Sequence, residues 1–176
     1  MLPNYCIYTQ IFRDRVPKGN DQAAIQRMYA QLGPTFHALH HYCWGLMKTN
    51  RALLLAQDET TRQFYLRDSL GEFDFVIQRA SADFILLPEI LSKKGQNLIR
   101  LGEGNKGIVE FERAIELKPE YWPPYGHLSD YYKSTGNLKL ARHWLTTGLA
   151  VSPGAKGLTS RLSELDSPTP LTKGQR

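Results

Sequence analysis

The sequence of 176 residues lacks any hydrophobic run long enough to cross a bilayer, which takes about 20 apolar residues in a helix. Its longest apolar runs are short, such as 52–56 and 84–87. It also lacks a large excess of one charge, since the net charge is +5. With 41% hydrophobic residues, the chain can form a real core, which excludes a disordered, collagen-like or small disulfide-rich protein. Length and composition therefore favour one soluble globular domain.

An export signal is also missing at the start of this sequence. Residues 2–6 follow Met1 without basic residues and without an apolar stretch of about 7–15 residues, although a mature chain would look the same. Cysteine is scarce as well, with only Cys6 and Cys43. These two residues allow one disulfide, or two unpaired thiols with Cys43 packed in a core.

Catalytic motifs are absent: there is no Gly-x-Ser-x-Gly, no phosphate loop and no dinucleotide fingerprint. His37 and His41 would share a helix face and could hold a metal, but the glutamate and the further ligand of a zincin are missing. Cys43 follows His40 closely, yet it stands between two aromatic residues in a stretch typical of a core. We therefore predict no catalytic residue, no metal site and no cofactor.

The sequence does contain an internal repeat with a period of 34 residues. At that offset, glycine 102 aligns with glycine 136 and proline 119 with proline 153, while large apolar residues align with one another. Small residues recur where two helices would approach closely, and large ones recur where the gaps between helices must be filled. The pattern predicts pairs of antiparallel helices.

This repeat resembles the tetratricopeptide repeat (TPR), a family of two-helix units. Seven positions of the TPR pattern are matched in a unit at 88–121 and again in a unit at 122–153. The matching residues are Leu91, Gly95, Leu98, Gly107, Phe111, Ala114 and Pro119, followed by Tyr125, Ser129, Tyr132, Ala141, Leu145, Gly148 and Pro153. The resemblance implies an all-α fold, a TPR-type superhelix (solenoid) of stacked helix pairs.

Upstream, the TPR pattern is stretched. Trp44-Gly45 and Ala80 match positions of one unit, but they lie farther apart than in a standard unit. An apolar stripe through the extra residues favours two longer helices over 35–80, and a loop insertion is the alternative. The full prediction is about eight helices and no strands.

The predicted organisation has three parts: an extended N-terminal arm at 1–20, a TPR-like helical domain at 21–165 and a flexible tail at 166–176. Pro3, Pro17 and the lack of periodicity suggest the arm. The helical domain comprises a helix from Asp21 to Leu32, the stretched repeat at 35–80, the repeats at 88–121 and 122–153, and a capping helix at 154–165.

In TPR proteins the first helices line a concave groove, and the resemblance implies the same surface here. The candidate partner-binding residues are Tyr42, Asn50, Glu89, Ser92, Lys93, Gln96, Arg100, Trp122, His127, Asp130 and Lys133. Some TPR domains clamp a peptide carboxylate with Lys, Asn and Arg, a pattern that Lys93, Arg100 and Asn50 match only in part. Because Glu89 and Asp130 oppose anion binding, we do not predict this clamp. A mixed polar and apolar groove favours an extended peptide or a partner helix.

The predicted function is a non-catalytic interaction module or scaffold that holds a segment of another protein. A nucleic-acid-binding helical repeat is the alternative suggested by the basic charge, but the basic residues are dispersed and mixed with acidic ones. A metal or thiol enzyme is a further alternative. No pattern in the sequence indicates the oligomeric state or the identity of the partner.

Three segments, 2–6, 32–36 and 40–47, also resemble a group of exported bacterial TPR proteins. Members of that group usually carry an export signal before the Pro–Cys segment. The resemblance implies a periplasmic protein, with a role in assembly of the cell envelope and with Cys6 and Cys43 oxidised to a disulfide. A cytoplasmic location is the alternative.

Overall fold

The computed structural model describes residues 2–167, and these contain eight α-helices and no strand. The helices are α1 Gln22–Leu32, α2 Leu39–Leu54, α3 Glu59–Ile77, α4 Leu87–Arg100, α5 Gly104–Leu117, α6 Pro123–Ser134, α7 Leu138–Val151 and α8 Lys156–Asp166. Two short 3₁₀ helices precede α1 and α2, at Asn4–Tyr8 and Pro34–Ala38. The predicted all-α, TPR-type helical fold is confirmed.

The chain forms two compact units, one that ends at Leu117 and one that begins at Lys118. In the first unit α2 packs on α3, α3 on α4 and α4 on α5. In the second unit α6 packs on α7, and α8 contacts both of them. Each unit is therefore built from helix hairpins in which consecutive helices are neighbours.

Two glycines end the first helices of the matched repeats, as the repeat pattern predicts. Gly102 follows α4 with φ 79°, and Gly136 follows α6 with φ 80°. Both lie in the left-handed region that a side chain disfavours, so each allows the chain to leave its helix in a tight turn. The Gly102 amide donates to the Ile99 carbonyl at 3.0 Å, which satisfies one of the free carbonyls at the helix end.

The hairpin of α4 and α5 depends on a close approach of two glycines. A Cβ added to Gly107 would lie 2.9 Å from the Gly95 carbonyl oxygen, and a Cβ added to Gly95 would lie 2.7 Å from the Phe111 ring. Only glycine fits at both positions without displacing the neighbouring helix. The interpretation of these residues as the contact between paired helices is confirmed.

The stretched pair is helical, with no inserted loop. Helix α2 has 16 residues and α3 has 19, whereas α4 and α5 have 14 each. A short turn joins them, and the Asp58 carboxylate caps α3 by accepting from the Thr61 amide at 2.7 Å. The first helix begins later than predicted, because residues Pro34–Ala38 form a 3₁₀ helix that precedes α2.

The N-terminal segment does not have the extended conformation predicted for residues 1–20. Asn4–Tyr8 is a 3₁₀ helix, and bends and turns follow it as far as Asn20. Cys6 and Cys43 form a disulfide, and the Thr9 hydroxyl donates to the Cys6 carbonyl at 2.8 Å. The missing periodicity suggested an extended chain, but this covalent anchor and the local hydrogen bonds coil the segment against the body.

Each unit buries apolar side chains of its own. The first unit buries Phe36, Leu39, Tyr42, Phe73, Val76, Leu87, Ile90, Leu91 and Ala114. The second buries Tyr125, Leu128, Ala141, Leu145 and Leu158. Over residues 2–167, no helix combines the length and the apolar character that a membrane span requires. The tail predicted at 166–176 lies outside the described residues after Ser167.

Candidate functional site

A pocket of about 430 Å³ opens between α2 and α4 in the first unit. Its lining brings together the predicted groove residues Asn50, Glu89, Lys93, Gln96 and Arg100. It also contains Asn97 and Thr49, and its apolar wall consists of Leu2, Pro3, Leu46 and Leu53. The pocket therefore combines a charged helix face with an apolar wall to which the N-terminal segment contributes.

The polar side of the pocket is one face of α4. Glu89, Lys93, Gln96 and Arg100 follow one another at steps of three or four residues, so that they share a helix face. Another face of α4 is apolar and buried, as at Leu91 and Leu98. This amphipathic pattern orients α4, because burial of the apolar stripe directs the charged residues into the pocket.

Tyr42 contacts one of the residues that line the pocket. Its ring is fully buried, and its hydroxyl donates to Glu89 Oε1 at 2.6 Å. The sequence predicted Tyr42 as a groove residue, but it is not among the residues that line the pocket. Its role in this site is to position Glu89, the only carboxylate among the described residues of the lining.

A buried asparagine of α4 links this helix to α2 and α3 beside the pocket. Asn97 is 1% exposed, and its Nδ2 donates to Thr49 Oγ1 of α2 at 2.6 Å and to Ser69 Oγ of α3 at 2.8 Å. Its Oδ1 accepts from Arg100 Nη1 at 2.8 Å. Because Asn97 bonds to α2 and α3 while it holds Arg100, the guanidinium is fixed relative to the pocket.

Arg100 is a half-buried cation, and no ion pair with a carboxylate is found for it in residues 2–167. Burial lowers the pKa of its guanidinium, and repulsion from Arg62 lowers this pKa further. An arginine nevertheless remains protonated at neutral pH. Lys93 is likewise found in no ion pair within the described range. The pocket therefore has two cations with only one carboxylate, and Tyr42 already engages that carboxylate.

Two other partly buried lysines of the first unit are neutralised by carboxylates. Lys48 pairs with Asp68 and Glu72, and Lys94 pairs with Asp74 and Glu110. Burial opposes the charge of Lys94, but the hydrogen bonds to Asp74 and Glu110 outweigh it and raise the pKa. Against this pattern, the cations of the pocket between α2 and α4 stand out as available to an anion.

Ser92 does not line the pocket, contrary to the prediction. It is 1% exposed, and its buried Oγ has no hydrogen-bond partner among the described residues. The side of α4 on which it lies is packed against protein, so a ligand in the pocket does not reach it. Adjacent Lys93, by contrast, lines the pocket.

The predicted groove residues of the second unit are used differently. Asp130 pairs with Arg161 of α8 at 3.1 Å, and the Trp122 ring lies so close to α8 that a Cβ on Gly157 would be 2.6 Å from it. These contacts place α8 over this face of α6, so Trp122 is a packing residue. His127 is half-buried on α6, and Lys133 is exposed near its end.

The other candidates from the sequence have separate partners. His41 Nδ1 lies 2.6 Å from Glu72 Oε2, while the His37 ring packs against Tyr29 at 5.2 Å between centroids. In residues 2–167 no group of three metal-ligand side chains comes together. Cys43 is bonded to Cys6, so its sulfur is not a free thiolate.

Sequence reasoning missed the part that the N-terminal segment and Leu53 play in the apolar wall of the pocket, and it missed the role of Asn97. Leu2 and Pro3 belong to a segment without a repeat pattern, so only the two cysteines could have indicated where the segment lies. Asn97 follows Gln96 in the same helix, but its contacts with Thr49 and Ser69 depend on how α2 and α3 pack.

Comparison with known proteins supports the repeat assignment. No family model matches the sequence. Over 98 residues the chain is 30% identical to tetratricopeptide repeat domain-containing protein PYG7, chloroplastic, of Arabidopsis thaliana. The chain has a TPR-like fold. The match covers 56% of this chain but only 33% of that relative, so the chain spans about a third of its length. The similarity supports a protein-interaction repeat in general terms.

Proposed function

We propose that this chain is a non-catalytic interaction module that binds a segment of another protein in the pocket between α2 and α4. The observation that carries the proposal is the pair of cations, Lys93 and Arg100, for which no ion pair is found in residues 2–167. A partially desolvated cation is costly unless an anion accompanies it, so a carboxylate from a partner is the group that fits.

The apolar wall of the pocket suggests a second feature of the partner. Leu2, Pro3, Leu46 and Leu53 face the cationic side of the same pocket. A peptide segment with an acidic residue next to a large apolar one would satisfy both sides. Interfaces gain most of their affinity from such anchors, and the rim contacts add complementarity.

The test begins with selection of random twelve-residue peptides on the immobilised protein, followed by fluorescence polarisation with the enriched sequences. We expect enrichment of acidic and apolar residues together. Replacing Arg100 and Gln96 by alanine should weaken binding about tenfold or more, because Arg100 supplies the charge-assisted contact. Helical content by circular dichroism should stay unchanged.

Arg27→Ala is the matched control, because Arg27 is exposed on α1 and does not line the pocket. It removes the same charge and should leave binding unchanged. Equal binding by the Arg100 and Gln96 double variant would contradict the proposed site. Binding of RNA with a steep dependence on salt, together with failure to enrich peptides, would favour the nucleic-acid alternative.

We also propose that the protein acts in an oxidising compartment, the periplasm, in line with its resemblance to exported bacterial TPR proteins and a role in the cell envelope. The disulfide Cys6–Cys43 supports this location, because disulfides persist in oxidising compartments and are rare in the cytosol. The protein in a periplasmic extract can be treated with an alkylating reagent and analysed by mass spectrometry. We expect both cysteines to remain unalkylated, because the disulfide leaves no free thiol. Two reactive thiols would contradict the proposal.

A further inference from the structure

A second pocket of the first unit, of about 450 Å³, lies outside the paired helices α2 to α5. It is formed by the N-terminal segment, α1 and the 3₁₀ helix Pro34–Ala38, and it shares no lining residue with the pocket between α2 and α4. The rings of Tyr8, Tyr29 and Phe36 line it, together with the imidazole of His37. Its volume lies in the range of sites that bind small molecules.

One arginine brings a fixed charge to this aromatic pocket. Arg13 lines it, and among the described residues of the lining there is no other lysine or arginine and no aspartate or glutamate. The Arg13 Nε is buried and has no hydrogen-bond partner in the described part of the chain. Its contact with Asp14 is long, at 3.9 Å, so the guanidinium retains unused donors.

The backbone holds Arg13 in place. Its amide donates to the Thr9 carbonyl at 3.0 Å, and Gly19 lies so close that an added Cβ would be 2.5 Å from the Arg13 carbonyl oxygen. Ile11, two residues earlier, has φ 75°, which is strained for a β-branched residue. Strain of this kind is retained where the surroundings fix a conformation, often at a binding site.

The aromatic rings complete the recognition surface. Phe36 is buried, whereas Tyr29 is 42% exposed and packs against His37. Planar walls of this kind favour a flat apolar group in offset or edge-to-face contact. An arginine fork beside them favours a planar carboxylate, which can accept two parallel hydrogen bonds.

We propose that this pocket is a binding site for a small aromatic carboxylate, whose ring lies among Tyr8, Tyr29 and Phe36 and whose carboxylate accepts hydrogen bonds from Arg13. The site is separate from the pocket between α2 and α4, and it requires no catalytic step. It would give the N-terminal segment a ligand of its own beside the partner-binding repeats.

The test compares two probes that differ only in charge, 3-phenylpropanoate and 3-phenylpropanamide, by saturation-transfer NMR and isothermal titration calorimetry. For a ligand of this size we expect the acid to bind with a dissociation constant of about 1 mM or tighter. The neutral amide should bind about tenfold more weakly, because the charge-assisted hydrogen bonds to Arg13 are lost.

Two variants locate the binding. Arg13→Gln should abolish the preference for the acid, whereas Arg15→Gln, an exposed change in the same turn, should keep it. Tyr29→Ala should weaken both probes. The acid-to-amide ratio in the unmodified protein does not depend on the folding of any variant. Equal binding of acid and amide, absence of binding by the acid at 10 mM (roughly tenfold above the expected constant), or an unchanged preference in Arg13→Gln would overturn the proposal.

Discussion

The two units use the same repeat pattern but treat the face of their first helix differently. In the first unit, Lys93 and Arg100 on α4 line a pocket, and no carboxylate of the described residues forms an ion pair with them. In the second unit, α8 lies over the equivalent face of α6, where Arg161 neutralises Asp130 and Trp122 packs on Gly157. The repeat motif therefore sets the fold, while the covering element and the local charge balance decide where a partner can bind.

The largest expected difference between the units concerns the disulfide. Replacing Cys6 and Cys43 by alanine removes a covalent link that only the first unit has. The chain-entropy argument predicts a loss of about 3–4 kcal/mol in the free energy of unfolding of that unit. Trp44, its only tryptophan, should report an earlier unfolding transition in guanidinium.

Hydrogen exchange followed by mass spectrometry is the control for this prediction. Amides of residues 2–20 and of α2 should exchange faster in the variant, while those of α6, α7 and α8 should keep their protection. An equal loss of protection in both units would contradict the restriction of the effect to the first.

A second change should open the covered face of the second unit. Gly157→Val places a side chain where a Cβ would lie 2.6 Å from the Trp122 ring. We expect a loss of about 1–3 kcal/mol in stability as α8 is displaced. Gly154→Val is the matched control, because a Cβ there meets nothing within 4 Å. Similar losses in the two variants, measured by denaturant titration, would speak against the packing of Trp122 on α8.

A third change should give the cations of the pocket between α2 and α4 a carboxylate partner, as Asp130 has Arg161 in the second unit. Gln96→Glu places an acid three residues after Lys93 and four residues before Arg100, both favourable helix spacings for an ion pair. Acidic peptides selected on the protein should then bind about tenfold more weakly, since the cations are already paired. Gln96→Met changes the side chain without a charge. If both variants bind alike, the cations do not select the ligand.

The smallest expected effect concerns Arg62, the cation that repels Arg100, and its ion pair with Glu59. Hydrogen bonds from Arg62 and Gln63 lower the pKa of Glu59 to about 2, from an ordinary value of 4.5. The ionised Glu59 carboxylate therefore stabilises the folded state above about pH 4.5, and this contribution is lost as the pH falls towards 2. NMR titration of the Glu59 carboxyl carbon should show the low midpoint, and Arg62→Ala should return it towards 4.5. An ordinary midpoint in the unmodified protein would show that the ion pair is not formed in solution.

Much of the fold was predictable because the determining signals are local. Glycines at 95 and 107 mark the contact of α4 with α5, and Gly102 and Gly136 mark helix ends, so each role follows from residue size or backbone freedom. The stretched pair was predictable because apolar residues recur through α3, although only Leu66, Phe73 and Val76 of them are buried and Phe64 is exposed. These features depend on positions within one repeat and need no knowledge of distant contacts.

The site was predictable only in part. Position in the repeat placed Glu89, Lys93, Gln96 and Arg100 on one helix face, and the structure brings them to one pocket. The same rule failed for Ser92, because its burial depends on tertiary contacts. Trp122 was predicted as an aromatic anchor rather than from its repeat position, and its packing against α8 also depends on tertiary contacts. The coiled N-terminal segment was missed because its shape depends on a bond to Cys43 and has no periodic signal.

The N-terminal segment contributes to both pockets of the first unit: Leu2 and Pro3 line the one between α2 and α4, while Tyr8 and Arg13 line the aromatic one. Thermodynamic linkage then constrains any two ligands that bind there. If occupancy of one cavity shifts this shared stretch of chain, it changes affinity at the other by some factor, and the reverse effect must have the same size. Titrating each ligand in the presence of the other would measure that coupling in both directions.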